Sequence, residues 1–455
     1  MPSILIVGGS DAGVSAALRA RELAPEAQVR LLLADRYPSF SICGIPFLLS
    51  GEVDGPSHLA HHSARDIEAA GIDLLPGHRA RSLDPETRVV QALTPGGDTR
   101  DLRYDRLLIA TGATSVRPPI AGMDLPGVFT LRWMDEALAV RRWLERQRPE
   151  RAVIVGGGYI GMEMADALTR RGMAVTLVEA LPQILATLDP DLAVEIAVTL
   201  RNEGVEVVTG VRTERIRETS EGLRVETGAG SWDCGLVLVA TGARPETTIA
   251  AAAGLETGHH GALRVDRHMR TRFPSVYAAG DCVETWHRLL EDWTYMPLGS
   301  TAHKQGRIAG ENLVGGAREF AGTLGTQVVK VFDRIAARTG LHDRDARAAG
   351  FDPLSVDLET WDRNAYYPGA QKLIIRVTGE RRDGRLLGAQ ILGHQGSEVA
   401  KRLDVFATAL FHGMKVVELE DLDLSYTPPL SSPWDPVQMA TRHWTWTLTH
   451  AGGSR

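Results

Sequence analysis

Cysteine is scarce in this chain: Cys43, Cys234 and Cys282 are the three in 455 residues, with no CxxC pair and no metal-ligand spacing between them. That scarcity excludes a disulfide framework and leaves no zinc site readable from sequence spacing, so no metal is expected. Long apolar runs are missing too. None approaches the roughly 18 residues of a membrane helix, and Ile4 to Val7 opens a strand where a signal peptide would stand, so a cytoplasmic protein with no membrane partner is expected. No basic block occurs; the net charge is −7 and the cations are nearly all arginine, which gives no reason to expect nucleic acid as a partner. What remains is an ordinary globular composition, 44% hydrophobic and 24% charged, over a length that predicts two or three domains.

Glycine carries the first positional information. Ile4 to Val7 runs into Gly8-Gly9-Ser10-Asp11-Ala12-Gly13, and Val14 to Leu23 continues with helical apolar spacing. Gly8 permits a tight turn, Gly13 lets helix and strand approach, and the helix N-terminus offers N–H groups to a pyrophosphate. Ser10 stands where the middle glycine of the motif would be. A second strand, Val29 to Ala34, ends at Asp35-Arg36, about 20 residues on, where an acid accepts from a ribose hydroxyl. A dinucleotide site and a plain βαβ unit without a ligand are both open for this stretch.

Arg151 to Val155 leads into Gly156-Gly157-Gly158-Tyr159-Ile160-Gly161, a complete GxGxxG opening the helix Met162 to Arg171, and Val175 to Val178 ends at Glu179. Strand, glycines, helix and acid are all in register here, which points to a second nucleotide site. The chain reads as an internal duplication for two different dinucleotides. Leu107-Leu108-Ile109-Ala110-Thr111-Gly112-Ala113 recurs as Val237-Leu238-Val239-Ala240-Thr241-Gly242-Ala243. Later, Ser275 to Ala278 delivers Gly280 and Asp281 at a strand's C-terminal end, where open α/β sheets bind ligands, and Leu298-Gly299-Ser300-Thr301 begins a helix through Leu313. Prolines and glycines from Pro118 to Gly127 read as a linker.

From about Gly325 the pattern changes to an α+β module without a nucleotide motif: strands Val328 to Phe332, Leu373 to Val377 and Arg385 to Leu392, and a helix Ser397 to Phe411. Ser425-Tyr426-Thr427-Pro428-Pro429 is a rigid loop, and Trp434, Trp444 and Trp446 read as packing or interface residues. Near the other end, Arg36 to Gly51 presents Cys43 just before Pro46, a first-turn helix proline, with Phe47 to Leu49 as a short buried helix that Gly51 stops. Two readings of Cys43 stand: a small buried hydrophobe, or a reactive thiol whose thiolate a helix N-terminus favours.

Taken together, Gly8 to Gly13, Tyr37-Pro-Ser-Phe with Cys43-Gly-Ile-Pro, Ala110-Thr-Gly, Gly156 to Glu163, Ala279-Gly-Asp281 and Tyr426-Thr-Pro-Pro resemble the single-cysteine branch of the pyridine nucleotide-disulfide oxidoreductases, from Ile4 to about Ala440. That branch includes coenzyme A disulfide reductase, NADH oxidase and NADH peroxidase. The resemblance implies an α/β fold of two Rossmann-like dinucleotide-binding domains plus a C-terminal α+β dimerisation domain. The divisions would be residues 1–115 with 245–324 for FAD, 116–244 for NAD(H) and 325–455 for the dimer interface. FAD would be held by Gly8, Ala12, Gly13, Asp35, Arg36, Ala110, Thr111, Gly112, Gly280, Asp281 and Ser300. NADH, with NADPH disfavoured by the Glu179 carboxylate, would be held by Gly156, Gly158, Tyr159, Ile160, Gly161, Glu179 and Gly242.

Cys43 would act alone, since Pro38 and Ser39 stand where glutathione reductase carries its other thiol. Tyr159 would gate the nicotinamide pocket, Glu163 would lie near the flavin, and Tyr426 would reach the active site of a partner subunit in a homodimer. Arg19, Arg21, Ser39, Phe40, Tyr366 and Tyr367 would line the substrate, a small disulfide or other oxidised sulfur compound. Three departures matter. Asp11 replaces the histidine of the oxidases and peroxidases, Ile42 replaces an asparagine of the coenzyme A reductases, and Phe47-Leu48 replace tyrosines. No sulfur-carrier domain is expected beyond Arg455. The leading expectation is NADH-dependent disulfide or persulfide reduction; NADH oxidation by oxygen, and electron transfer to a partner protein with a structural Cys43, are the alternatives.

Overall fold

The computed structural model describes residues 2–450, which divide into two compact units. One unit comprises Met1–Pro149, Leu238–Trp286 and Asp292–Thr323; the other comprises Glu150–Val237, His287–Glu291 and Leu324–Arg455.

The first unit is built on a parallel sheet of five strands in the order Val276–Ala278, Arg106–Ile109, Ser3–Val7, Gln28–Leu33 and Ile72–Pro76. Nearly continuous Val, Ile and Leu in the central strands is what burial on both faces demands, and Ile4, Leu5, Ile6, Leu107 and Leu108 have no exposed surface. Chain order reverses between Ser3–Val7 and its neighbour Arg106–Ile109, so the turn leaving Ser3–Val7 sits at a switch point of the sheet. Helices Asp11–Leu23 and Gly299–Leu313 pack backbone to backbone. A Cβ on Gly306 would stand 2.2 Å from the Ala12 carbonyl oxygen, and one on Gly310 would stand 2.4 Å from that of Ala16.

An apolar run read from sequence as one strand, Leu102 to Gly112, is two. Thr99–Arg103 closes an antiparallel meander with Val89–Leu93 and Arg79–Asp84, and only Arg106–Ile109 enters the parallel sheet. The break falls at Tyr104-Asp105, where the Asp105 N–H donates to the Ser3 carbonyl (2.8 Å) and its carboxylate accepts from the Ser3 N–H (2.7 Å). The repeated Thr-Gly turns close on each other within this unit. The Thr111 hydroxyl donates to the Glu246 carbonyl and the Glu246 N–H to Gly112; reciprocally, the Thr241 hydroxyl donates to the Val116 carbonyl and the Val116 N–H to Gly242.

The second unit contains a parallel set Arg151–Val155, Ala174–Glu179 and Glu206–Thr209, and an antiparallel five-stranded sheet ordered Gln327–Val331, Arg334–Gly340, Leu386–His394, Lys372–Glu380 and Pro353–Trp361. Helices Val399–Phe411 and Pro436–His450 cover the latter around Phe406 and Trp444. Trp444 is a core residue whose indole N–H donates to the Leu354 carbonyl (2.7 Å), whereas Trp434 and Trp446 are 52% and 56% exposed. No described helix is long and apolar enough to cross a membrane.

The Gly306 contact is with backbone, which no rotamer change relieves. Gly306→Ala is therefore expected to destabilise the protein by about 1–3 kcal/mol, the usual range for overpacking. Thermal unfolding followed by circular dichroism checks this, and an unchanged midpoint would contradict it.

Candidate active site

Cys43 lies in a short turn, Ile42–Gly44, directly ahead of the helix Ile45–Ser50, which Pro46 opens and the left-handed Gly51 (φ +92°) ends. The segment leading to it is clasped at both edges. The Ser39 N–H donates to the Gly9 carbonyl (2.8 Å), and the His61 N–H donates to the Ser39 carbonyl (2.8 Å). Phe40 bridges Ala60, and the Ser41 N–H donates to Leu59 (2.7 Å). Ser39 holds φ +55°, a strained value for a side chain with a Cβ, kept by these bonds. Ser39 and Phe40 are buried, 3% and 2% exposed.

The three thiols separate by environment. Cys43 is exposed, while Cys234 and Cys282 are buried and burial pushes their pKa up to about 11. A thiol held protonated is a poor nucleophile, so only Cys43 combines access with chemistry.

Beside this segment stands the first glycine turn. Gly8 (φ +122°) would place a Cβ 2.0 Å from the Ala110 carbonyl oxygen, and a Cβ on Gly13 would stand 1.8 Å from that of Gly8. Ser10, the N-cap of Asp11–Leu23, makes no side-chain cap bond, and its buried hydroxyl has no partner among the described residues. Free helix N–H groups, an orphan hydroxyl and bare glycines together form a cradle suited to an anion. Around it, Ala12 is buried beneath Gly280 (φ +87°), whose Cβ would stand 2.9 Å from that of Ala12. The Gly280 N–H donates to buried Gln305 (2.9 Å).

Asp281 pairs with Arg132 at 2.5 Å, both largely buried; burial raises the Asp281 pKa and the guanidinium opposes it. Asp35 accepts from the Tyr37 N–H (2.9 Å) and its pKa is likewise raised by burial. Arg36 and Ser300 are exposed, and Ala110, Thr111 and Gly112 follow the strand Arg106–Ile109. Arg132 and Gln305 were not found from sequence: neither belongs to a motif.

The second glycine turn repeats the first. Gly156 has φ +113°, and a Cβ on Gly161 would stand 2.0 Å from the Gly156 carbonyl oxygen. Gly158 caps the helix Tyr159–Arg170 without a side-chain bond, and Tyr159 and Ile160 begin that helix. Glu179, at the end of its strand, accepts from the N–H groups of Gly157 (2.5 Å) and Leu181 (2.7 Å). Arg170, a cation on the helix preceding Glu179, donates to Asp166. The Tyr159 hydroxyl accepts from Thr187 (3.2 Å), whose carbonyl in turn accepts from buried Arg338 (3.3 Å). Burial raises the Tyr159 pKa. Glu163, one turn along, has its pKa pushed up to about 7 by burial; Lys330 pulls it down and Asp166 pushes it further up. Gly242 has φ +113° and lies in the first unit.

In the second unit, Asn364 donates to both Tyr426 (3.2 Å) and Tyr366 (3.4 Å), a residue without any sequence signal that joins two expected from it. Tyr366 is 75% and Tyr426 46% exposed. The Tyr367 N–H donates to Asn364 (2.8 Å). Arg363 and Arg402 bind this loop to the Tyr426 loop through the carbonyls of Pro429 (2.9 Å) and Leu430 (3.2 Å). Arg19 and Arg21 are committed internally, Arg19 to Glu311 (2.8 Å) and Glu22 (2.9 Å), Arg21 to the carbonyls of Ala70 (2.9 Å) and Ala27 (2.9 Å).

The family model described as pyridine nucleotide-disulphide oxidoreductase matches residues 2–306, and the dimerisation-domain model of the same family matches residues 326–436. The chain belongs to this family. Among relatives of this pyridine nucleotide-disulphide oxidoreductase, the NAD(P)H coenzyme A polysulfide/persulfide reductase of Pyrococcus horikoshii is 33% identical over 446 residues, covering 96% of this chain and 97% of its own. An NADH oxidase of Methanocaldococcus jannaschii is 31% identical, covering 96% and 97%. The NAD-dependent persulfide reductase from A. fulgidus superposes with TM-score 0.94 at 36% identity, over 99% of this chain and 84% of that one. Reduced Bacillus anthracis CoADR-RHD gives 0.95 at 30%, over 98% and 81%.

The fold class is accordingly two Rossmann-like dinucleotide-binding layers with a C-terminal dimerisation module, and the protein is an NAD(P)H-dependent flavoprotein oxidoreductase. Its two glycine cradles fit FAD and a pyridine nucleotide: each leaves helix N–H groups uncapped, and in each the last glycine lets the helix start close against the turn, where a Cβ would collide with a backbone carbonyl oxygen.

Glu163 generates a stability prediction. Its folded pKa, about 7, lies above the unfolded carboxyl value, so the folded state holds the proton more tightly. Its contribution is therefore most favourable below about pH 4.5 and is lost as pH rises to about 7, on the order of 3 kcal/mol in all. Glu163→Gln should remove that loss. Unfolding midpoints of variant and wild type should diverge, variant above, between about pH 5 and 7.5; parallel curves would contradict the buried-acid assignment.

Proposed function

We propose that this protein is a cytoplasmic, homodimeric flavoenzyme in which NADH reduces a small disulfide or persulfide through Cys43. The observation that carries the reading is that Cys43 is exposed on a clasped, strained segment while both other thiols are buried and held protonated. The names of the Pyrococcus horikoshii and A. fulgidus relatives support oxidised sulfur as the substrate class. We take residues 1–115 with 245–324 as the FAD domain, 116–244 as the NAD(H) domain and 325–455 as the dimer module, consistent with the matched dimerisation model.

FAD would rest on Gly8, Ala12, Gly13, Asp35, Arg36, Ala110, Thr111, Gly112, Gly280, Asp281 and Ser300; when bound, it supplies a carrier between the two-electron donor NADH and sulfur. The chain's own residues do the rest. The Cys43 thiolate attacks one sulfur of R–S–S–R′, forming a Cys43–S–R bond and releasing R′S⁻. Two electrons from NADH then cleave that bond, freeing RS⁻ and restoring the thiolate. Tyr426, reaching the partner subunit's site, donates a proton to the leaving sulfur, with Asn364 aiming its hydroxyl. Ser39, Phe40, Tyr366 and Tyr367 would line the substrate. For Arg19 and Arg21 to meet a substrate phosphate, they would have to release Glu311 and the Ala70 carbonyl. Glu163, poised near neutrality, holds a proton near the nicotinamide gate Tyr159.

A second reading, NADH oxidation by oxygen, is supported by the NADH oxidase relative. Cys43→Ser separates them. Anaerobic disulfide or persulfide turnover should fall by roughly two orders of magnitude or more, with flavin reduction by NADH preserved. Undiminished disulfide turnover would overturn the proposal, and undiminished oxygen consumption alone would favour the oxidase.

Gly156, Gly158, Ile160, Gly161 and Gly242 would accept the pyridine nucleotide, with Glu179 reading its ribose. The fixed carboxylate accepts from a free 2′-hydroxyl and repels a 2′-phosphate. NADH is expected to exceed NADPH by at least about tenfold in specificity constant, and Glu179→Ala to narrow the gap. Equal rates in the wild type would show that Glu179 does not select.

A further inference from the structure

Asp11, His61 and His303 come from three distant stretches of the first unit, yet each offers a ligand atom and these atoms lie within 4.8 Å of one another. Helices hold two of them, and a backbone hydrogen bond holds the third. Asp11 opens the helix Asp11–Leu23, and the bare α-carbon of Gly299 leaves room for its carboxylate, since a Cβ there would stand 3.2 Å from Asp11 Oδ2. His303 projects from the helix Gly299–Leu313, which is locked onto that first helix at Gly306. His61 is fixed through its backbone N–H to the Ser39 carbonyl.

The His303 imidazole is oriented as a ligand would be. His303 places Nε2 3.3 Å from Asp11 Oδ1, and its Nδ1 lies 2.8 Å from the Ser15 hydroxyl. A second hydrogen bond of this kind fixes the ring and tautomer of a metal-binding histidine. His61 meets His303 edge-on, with centroids 6.0 Å apart and planes at 74°. A simple Asp11–His303 ion pair would account for two of these residues and would not call for the His61 ring beside them.

We propose that Asp11, His61 and His303 form a binding site for a divalent transition-metal ion of the zinc class. Two imidazole nitrogens and one carboxylate oxygen are a borderline donor set suited to that ion, and three protein ligands leave a fourth position open. The proposal does not rest on the sulfur chemistry proposed for Cys43, although Asp11 belongs to the Gly8–Gly13 turn assigned to FAD and the His61 backbone is clasped to Ser39 of the thiol segment.

The test uses the full-length, FAD-loaded protein and Zn²⁺ in competition with a chromophoric chelator at pH 7.5. One Zn²⁺ per chain should bind with a dissociation constant of about 10 µM or tighter. Binding should weaken at least about tenfold in Asp11→Asn, His61→Ala and His303→Ala. Ser15→Ala, which removes no ligand, should weaken it by about tenfold, an effect a bare ion pair would not show. Bound FAD content confirms that each variant is folded. Cys43→Ser should leave the affinity unchanged. A wild type that takes no Zn²⁺ below about 100 µM would overturn the site. So would Zn²⁺ retained in His303→Ala and lost in Cys43→Ser, which would place the ion on the thiol instead.

Discussion

Where the chain turns from Ser3–Val7 into Asp11–Leu23, backbone lies directly on backbone: a Cβ on Gly13 would stand 1.8 Å from the Gly8 carbonyl oxygen, and one on Gly8 2.0 Å from that of Ala110. Any side chain here would push the helix off the sheet and withdraw its N–H groups from the strand ends. The helix Gly299–Leu313 then settles onto the first by the same means, through Gly306 and Gly310. Asp281 and the Cys43 segment are positioned in turn, one by Gly280 against Ala12 and the other by Ser39 against Gly9. The chemistry of the first unit therefore depends on a chain of contacts in which the absent atom is a Cβ.

Desolvation sorts the titratable groups that this scaffold carries. It leaves Cys43 in solvent and raises the other two thiols to about 11, so one nucleophile emerges from three without any cationic partner being invoked. It lifts Glu163 to about 7, where a carboxyl both holds and releases protons at neutral pH. Arg132 offsets the same burial at Asp281, which keeps a polar acid at the end of an apolar sheet.

Much of this was legible in the sequence because it is local. Both glycine turns, the acids ending the next strands, the Thr-Gly repeat and the helix stop at Gly51 each follow from a few adjacent residues. Contacts set by tertiary distance were not legible. Arg132 meets Asp281 across 149 positions, and Asn364 meets Tyr426 across 62. The split of Leu102 to Gly112 into two strands was hidden because buried strands of different sheets show the same apolar run; only the bonds of Asp105 to Ser3 reveal the break. Asp11, a departure from the resembling family, gains a partner in His303 that no spacing rule would have suggested.

The reciprocal bonds of the two Thr-Gly turns have a bearing on proteolysis. The chain leaves the first unit after Pro149 and returns to it at Leu238. On either side of that excursion, Ala113–Ser115 and Ala243–Pro245 pair as antiparallel strands, flanked by the Thr111–Glu246 and Thr241–Val116 bonds. A single nick within residues 150–237 would therefore leave both flanks of the excursion laced together in the first unit. The fragments would stay associated under native conditions and separate only in denaturant, so cleavage there would escape notice in any assay that reports the size of the native particle.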